Sequence, residues 1–162
     1  MTDIVALCMN PSIDVSTLVD RIVHSSKLRC DRVTRDPGGG GINVARVARR
    51  FGADVTALYP TGGAAGQLLR RLVDQEGVQS LAIQLSGETR EDFTVIEKAS
   101  GNQFRFILPG PQLSAKEWGE CLQAVASFKG RSQVVVASGS LPAGVHGPST
   151  LLARSQLPSF RR

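Results

Sequence analysis

Short apolar runs alternate with amphipathic stretches along the chain. Asp3–Met9 is a continuous apolar run closed by Asn10-Pro11, which predicts a buried strand ending in a turn. Val15–Val19 and Leu28–Thr34 have strand-like alternation, with the polar segment Val23–Lys27 between them. In the second of these stretches Lys27 and Arg29 alternate with Leu28 and Cys30, so a strand there would carry both cations on one face. After Pro37-Gly38-Gly39-Gly40-Gly41, the spacing of Ile42, Ala45, Val47, Ala48 and Phe51 predicts a helix, with Arg46, Arg49 and Arg50 facing water and Gly52 as its stop. Val55–Tyr59 reads as a strand, Gly62–Gly66 as a glycine turn, Gln67–Gln75 as a second helix and Val78–Leu85 as a third main strand. This order predicts a parallel sheet with crossover helices.

Two segments break that rhythm. Thr89–Glu97 and Gln103–Leu108 flank Ala99-Ser100-Gly101-Asn102, a hairpin signal outside the main sheet. Ser114 and Glu117 have the spacing of a capping box, followed by a stripe of Trp118, Leu122, Val125 and Phe128. Gln133–Ala137 predicts a further buried strand leading into Ser138-Gly139-Ser140-Leu141-Pro142. The fold class expected is therefore α/β with extra strand pairs. The stretch 146–162 does not read as the next helix of such a sheet and is expected to be an aberrant or disordered tail.

Composition narrows the functional classes. The chain has 162 residues, 41% hydrophobic and 20% charged, which is ordinary for a globular domain. Its net charge is +5, and three arginines with no acid lie in 146–162, so no basic stripe interleaved with aromatics runs through the body. Nucleic acid is not an expected partner. No apolar run approaches the ~20 residues of a membrane span, and residues 1–20 lack a basic segment before an apolar core, so neither membrane nor secretory leader is expected. The three cysteines, Cys8, Cys30 and Cys121, are far apart and form no CxxC; no disulfide framework or metal site is expected, and a cytoplasmic location follows as the default.

The candidate chemistry gathers where strands meet glycine-rich turns. Gly38, Gly39, Gly40 and Gly41 before a helix allow close backbone approach to a ligand, and Asn43 in the first turn adds a polar side chain; close packing alone explains such a run equally well. It is neither GxGxxG after the first strand nor a GK[ST] phosphate loop. Asp14, with Ser12 just before it, follows the first strand and suits a carboxylate binding sugar hydroxyls, or a simple turn cap. Arg90 at the start of the later strand pair, together with Lys27 and Arg29, supplies cations for a phosphate, and Ser138-Gly139 offers a hydroxyl and close backbone. His24 and His146 have no partner pattern for a catalytic triad.

Taken together, Asn10-Pro11-Ser12-Ile13-Asp14, Lys27-Leu28-Arg29-Cys30, Pro37-Gly38-Gly39-Gly40-Gly41-Ile42-Asn43-Val44-Ala45, Gly62-Gly63, Thr89-Arg90, Phe104-Arg105-Phe106 before Pro109-Gly110, and Ser138-Gly139-Ser140-Leu141-Pro142 resemble the PfkB-type carbohydrate kinases of the ribokinase superfamily. The resemblance covers residues 3–145. Within the family it is most similar to the minor, ATP-dependent 6-phosphofructokinases. The 1-phosphofructokinases usually carry Lys where this chain has Gly40, and tagatose-6-phosphate kinases remain an alternative.

The resemblance implies a ribokinase-like α/β sandwich, here partial over 1–145, with a small β-sheet lid near 15–34 and 89–108 that pairs between subunits of a homodimer. It implies transfer of a phosphoryl group from ATP, with Mg²⁺, to fructose 6-phosphate. Asp14 would hold sugar hydroxyls, with Ser12 beside it, and Gly38–Gly41 with Asn43 would line the sugar. Arg90 would contact the sugar phosphate, and Ser138 and Gly139 would add polar contacts. Lys27, with Arg29 beside it, would reach from the partner's lid. The family's Gly-Ala-Gly-Asp motif, which carries the catalytic base and much of the ATP site, is not in these 162 residues. The chain is accordingly expected to be the N-terminal half of such a kinase, ended by a frameshift or truncation. No catalytic or metal-ligating residue is assigned in it, it is not expected to bind ATP or Mg²⁺ or to act alone, and non-enzymatic sugar-phosphate binding or dimerisation is the alternative function.

Overall fold

The N-terminal strand runs over Thr2–Leu7 (β1) in a computed structural model that describes residues 2–145. The tail expected over 146–162 lies outside the described residues. The apolar run of β1 places it at the centre of a sheet covered on both faces, where alternate side chains enter two different cores. Ala6 and Cys8 join Ile42, Ala45, Leu69 and Val73 on one side. Val5, Leu7 and Met9 join Leu58, Leu85, Cys121 and Val125 on the other.

The elements follow as β2 (Ser12–Val19), β3 (Val33–Gly38), α1 (Gly40–Arg50), β4 (Val55–Thr61), α2 (Gly63–Gln75), β5 (Gln79–Gln84), β6 (Arg90–Glu97), β7 (Gln103–Phe106), α3 (Ala115–Ala126) and β8 (Ser132–Ala137). The main sheet has the order β5-β4-β1-β8 and is parallel throughout. Helices α1 and α2 pack on the face of Ala6 and Cys8, and α3 on the face of Val5 and Leu7. The second sheet has the order β3-β2-β6-β7. Its centre is the parallel pair β2–β6, and an antiparallel partner flanks each strand. These are the extra strand pairs expected from the broken rhythm, and together with the main sheet they form the α/β sandwich with a small β-sheet lid.

Several boundaries and faces differ from expectation. The strand expected over Leu28–Thr34 is instead β3 at Val33–Gly38, because β2 supplies ladder partners from Thr17↔Val33 to Ser12↔Gly38. Leu28–Arg32 belongs to an exposed connection, so Lys27 and Arg29 do not share a strand face. Arg46 is largely buried rather than facing water: its guanidinium reaches Glu76, the residue following α2, at 2.5 Å. Val47 and Phe51, expected in the core, are exposed, and Phe51 is the C-cap of α1. The expected turn at Gly62–Gly66 is mostly the first turn of α2. The stripe of α3 centres on Cys121 and Val125, with Trp118, Leu122 and Phe128 only partly covered. β8 is an edge strand with Val134 46% exposed, not a fully buried one. Its outer side has no strand partner among the described residues.

Candidate functional site

Ligands of open α/β sheets bind beyond the carboxyl ends of the strands, and three segments converge there. β1 leads into Cys8-Met9-Asn10, β8 leads into Ser138-Gly139-Ser140, and α1 begins at the glycine run. Ser138 N–H donates to Leu7 O at 3.1 Å, and Gly41 N–H donates to Ser138 O at 2.9 Å. Asn10 Nδ2 donates to Ser140 Oγ at 3.1 Å, closing the β1–β8 corner. This corner sets the floor of the site.

The glycine run is required by contact as well as by conformation. Gly39 has φ of +107°, which L side chains rarely adopt, and a Cβ there would stand 2.5 Å from Cys8 Sγ. Gly38, the last residue of β3, lies so close to the Asp14 carboxylate that any Cβ would overlap it. Asp14 therefore points across the glycine backbone rather than capping a turn. It sits within β2, and Ser12 Oγ donates to its Oδ1 at 2.8 Å. Cys8 lies beneath the run as a neutral thiol, since burial raises its pKa despite backbone N–H groups from Ile42, Gly41 and Asn10.

Arg90 opens β6 in register with Ser12 of β2, which is itself in register with Gly38 of β3. Register thus brings the three segments that carry Arg90, Ser12 with Asp14, and Gly38 side by side at one end of the second sheet. Arg90 Nη1 donates to Asp92 Oδ1 at 3.0 Å and lies 2.8 Å from Oδ2. Its Nη2 donates to the backbone carbonyl of Asn10 at 3.3 Å. The residue before it is fixed too: Thr89 Oγ1 accepts Gly62 N–H at 3.0 Å and pairs with Thr61 Oγ1 at 2.9 Å. Asn43 is exposed on the first turn of α1, where its Oδ1 accepts a 3.3 Å bond from Arg46 Nη1.

Asp14, Ser12, Gly38, Gly39, Gly40, Gly41, Asn43, Arg90, Ser138 and Gly139 thus sit on connected segments around one corner. Lys27 and Arg29 do not join them within one chain. They ride on the connection between β2 and β3, whose two ends are tied down by Asp20 and Asp31, both paired with Lys98 Nζ. Asn10 and Asp92 escaped the sequence reading as site residues. Asn10 reads as a turn residue, and the signal for Asp92 is the period-two spacing that puts it on the same strand face as Arg90.

The surroundings are held by a second carboxylate. Glu117 accepts from Ser86 N–H at 2.8 Å, Ser86 Oγ at 2.9 Å, Ser114 N–H at 2.8 Å and Ser114 Oγ at 2.7 Å. Those donors hold its pKa down at about 2, the Ser86 backbone contact contributing most. The expected capping box at Ser114 is complete, and Glu117 also anchors the segment that runs from β5 toward Thr89 and Arg90. Among the described residues no three His, Cys, Asp or Glu side chains gather in a metal-binding group, and no helix is long and apolar enough to cross a membrane.

Comparison with known proteins extends this geometry. The chain is 46% identical over 142 residues to the ATP-dependent 6-phosphofructokinase isozyme 2 of Mycobacterium tuberculosis, covering 88% of this chain and 42% of that protein. It is 32% identical over 143 residues to a tagatose-6-phosphate kinase of Staphylococcus epidermidis, covering 88% and 46%. The crystal structure of phosphofructokinase-2 from Escherichia coli in complex with fructose-6-phosphate superposes with a TM-score of 0.88 at 37% identity, over 96% of this chain and 52% of that one. The chain spans about half the length of the curated relatives it matches. The pfkB family carbohydrate kinase model matches residues 2–159. With that match joining its sequence motifs and its sandwich-and-lid fold, the chain belongs to the pfkB family of carbohydrate kinases.

Proposed function

We propose that this chain supplies the ketose-phosphate-binding half of an ATP-dependent 6-phosphofructokinase. The observation that carries this reading is the corner where the Asp14 carboxylate overlies Gly38, the glycine run meets Ser138 and Gly139, and Arg90 enters from the second sheet. A carboxylate accepts from two hydroxyls at once, which suits a sugar. Ser12 takes up part of Oδ1 and orients the carboxylate, so the remaining lone pairs serve the substrate. The closely approaching backbone of Gly39–Gly41 shapes a flat wall against the sugar, and Arg90 is the cation for the phosphate.

In the complete reaction the sugar hydroxyl oxygen forms a bond to the γ-phosphorus of ATP while the bond to ADP breaks, and the hydroxyl proton passes to a base. Mg²⁺ supplies charge neutralisation on the phosphates. No residue among 2–145 is assigned to ATP, to Mg²⁺ or to that base, since the 162 residues contain no Gly-Ala-Gly-Asp motif. The role of this chain's own residues is therefore to bind and orient the acceptor. That same feature favours sugar-phosphate binding without transfer as the activity of the 162 residues by themselves. The similarity to a tagatose-6-phosphate kinase makes the epimeric ketohexose phosphate the competing ligand.

The second sheet is read as a lid that meets the lid of a second copy. Its support is an uncovered apolar face: Phe93, Phe104 and Phe106 are exposed, Phe106 by 54%, and Val33 lies at the same sheet's edge. In such a pair we assign Lys27 and Arg29, on the exposed connection between β2 and β3, to the partner's sugar-phosphate site.

The test is calorimetric titration of the 162-residue chain with fructose 6-phosphate, tagatose 6-phosphate and fructose. Saturable heat is expected with the phosphates, weaker or none with fructose, and loss of binding in Asp14→Ala at an unchanged melting temperature. Equal binding of fructose and its phosphate, or unaltered binding in Asp14→Ala, refutes the reading.

A further inference from the structure

We infer that Asp92 is a positioning residue for sugar-phosphate recognition, fixing the Arg90 guanidinium in the orientation that meets the ligand. The inference rests on the proposed role of Arg90 as the phosphate contact. Arg90 and Asp92 lie two residues apart on β6, so both face the same side of the second sheet. Their side chains are 9% and 12% exposed, and the pair is close on both carboxylate oxygens. Asp92 Oδ1 also accepts the Leu108 N–H at 3.0 Å, while Leu108 O takes a 3.3 Å bond from Arg90 Nη1. Asp92 thereby binds the guanidinium and the segment that follows β7 into one unit.

The count of donors shows what this achieves. A guanidinium carries five N–H groups in a rigid planar fork. Nη1 is committed to Asp92 and Leu108, and one Nη2 proton to the carbonyl of Asn10. Nε is buried and has no protein partner. Nε is enclosed by protein, so the donor left for a phosphate oxygen is the second Nη2 proton. Without Asp92, Nη1 keeps only the 3.3 Å bond to the Leu108 carbonyl, and the guanidinium is less firmly held.

The experiment measures fructose 6-phosphate and fructose binding to the full 162-residue chain in a double-mutant cycle. The variants are Asp92→Ala, Asp92→Asn, Arg90→Ala and the Arg90→Ala combinations with each Asp92 change. Asp92→Ala is expected to weaken fructose 6-phosphate about tenfold and to leave fructose unaffected. Asp92→Asn keeps one acceptor oxygen for Leu108 and is expected to weaken the phosphate ligand about threefold, a partial rescue that remains readable where the Ala variant fails to fold. Neither change alters binding further once Arg90 is Ala. Asp92 variants that bind fructose 6-phosphate as tightly as the parent chain overturn the inference, as do losses of equal size in the Arg90→Ala background. Failure of the parent chain to bind, or an Arg90→Ala variant that binds as well as the parent, overturns the underlying reading of the site, and the inference falls with it.

Discussion

Replacing Glu117 by Ala probes whether one buried carboxylate holds the approach to the site. Glu117 is 9% exposed and receives four hydrogen bonds, two from backbone N–H groups and two from serine hydroxyls. Loss of a capping interaction costs about 1 kcal/mol, and leaving the Ser86 donors without their charged acceptor adds about 1–2 kcal/mol. A total of about 2–3 kcal/mol corresponds to a drop of roughly 5–10 °C in melting temperature for a domain of this size.

The pH dependence gives a second, independent reading of the same group. The folded carboxyl titrates at about 2, below its ordinary value of 4.5. Its contribution is therefore fully present above about pH 4.5 and is lost as the pH falls toward about 2. The stability difference between the parent chain and Glu117→Ala should be constant from neutral pH down to about pH 5 and shrink by more than half by about pH 3. Thermal and urea melts across that range are the assay. A melting temperature within about 1 °C of the parent at pH 7, or a difference that stays level to pH 3, refutes the reasoning.

Two further outcomes follow from the packing around the site. Gly40→Ala places a Cβ 2.7 Å from both Gly139 N and Ser138 Oγ, so α1 and the loop after β8 must separate; a loss of about 1–3 kcal/mol in urea unfolding is expected, together with weaker fructose 6-phosphate binding. Arg46→Ala removes the hydrogen bond that does most to hold the Glu76 carboxyl below its usual value, so Glu76 should titrate closer to normal in a carboxyl-carbon NMR titration, and the part of the stability that Glu76 loses as pH falls should diminish. An unmoved Glu76 titration would show that Arg50 alone suffices.

Much of this was legible because the signals are local. The β1 and β4 runs are apolar on both faces, the hairpin turn at 99–102 is polar and glycine-bearing, and the Ser114–Glu117 box satisfies its own helix end. Each depends on residues within a few positions of one another, so spacing alone carried the element and the motifs carried the family. The glycine run shows the limit of that logic. Its composition is equally compatible with plain packing and with ligand approach, and the structure shows the packing: Asp14 overlies Gly38 and Cys8 fills the space at Gly39, contacts no local pattern announces.

What only the tertiary structure decided are relations across the chain. β3 begins at Val33 rather than at Leu28 because hydrogen-bond partners on β2 extend over Val33–Gly38, and a ladder is a property of two strands together. That shift by itself removed Lys27 and Arg29 from the strand face on which alternation had placed them. Arg46 left the solvent because Glu76, thirty residues later, stands where α2 ends beside α1. Arg90 acquired its orientation from Asp92, Asn10 and Leu108, three positions with no shared sequence signature. The sequence by itself determined the elements, the motif order and the family, since periodicity and turn chemistry act over a few residues; long-range pairing alone set which charges are free, because whether a charge is free depends on which distant groups the fold brings against it.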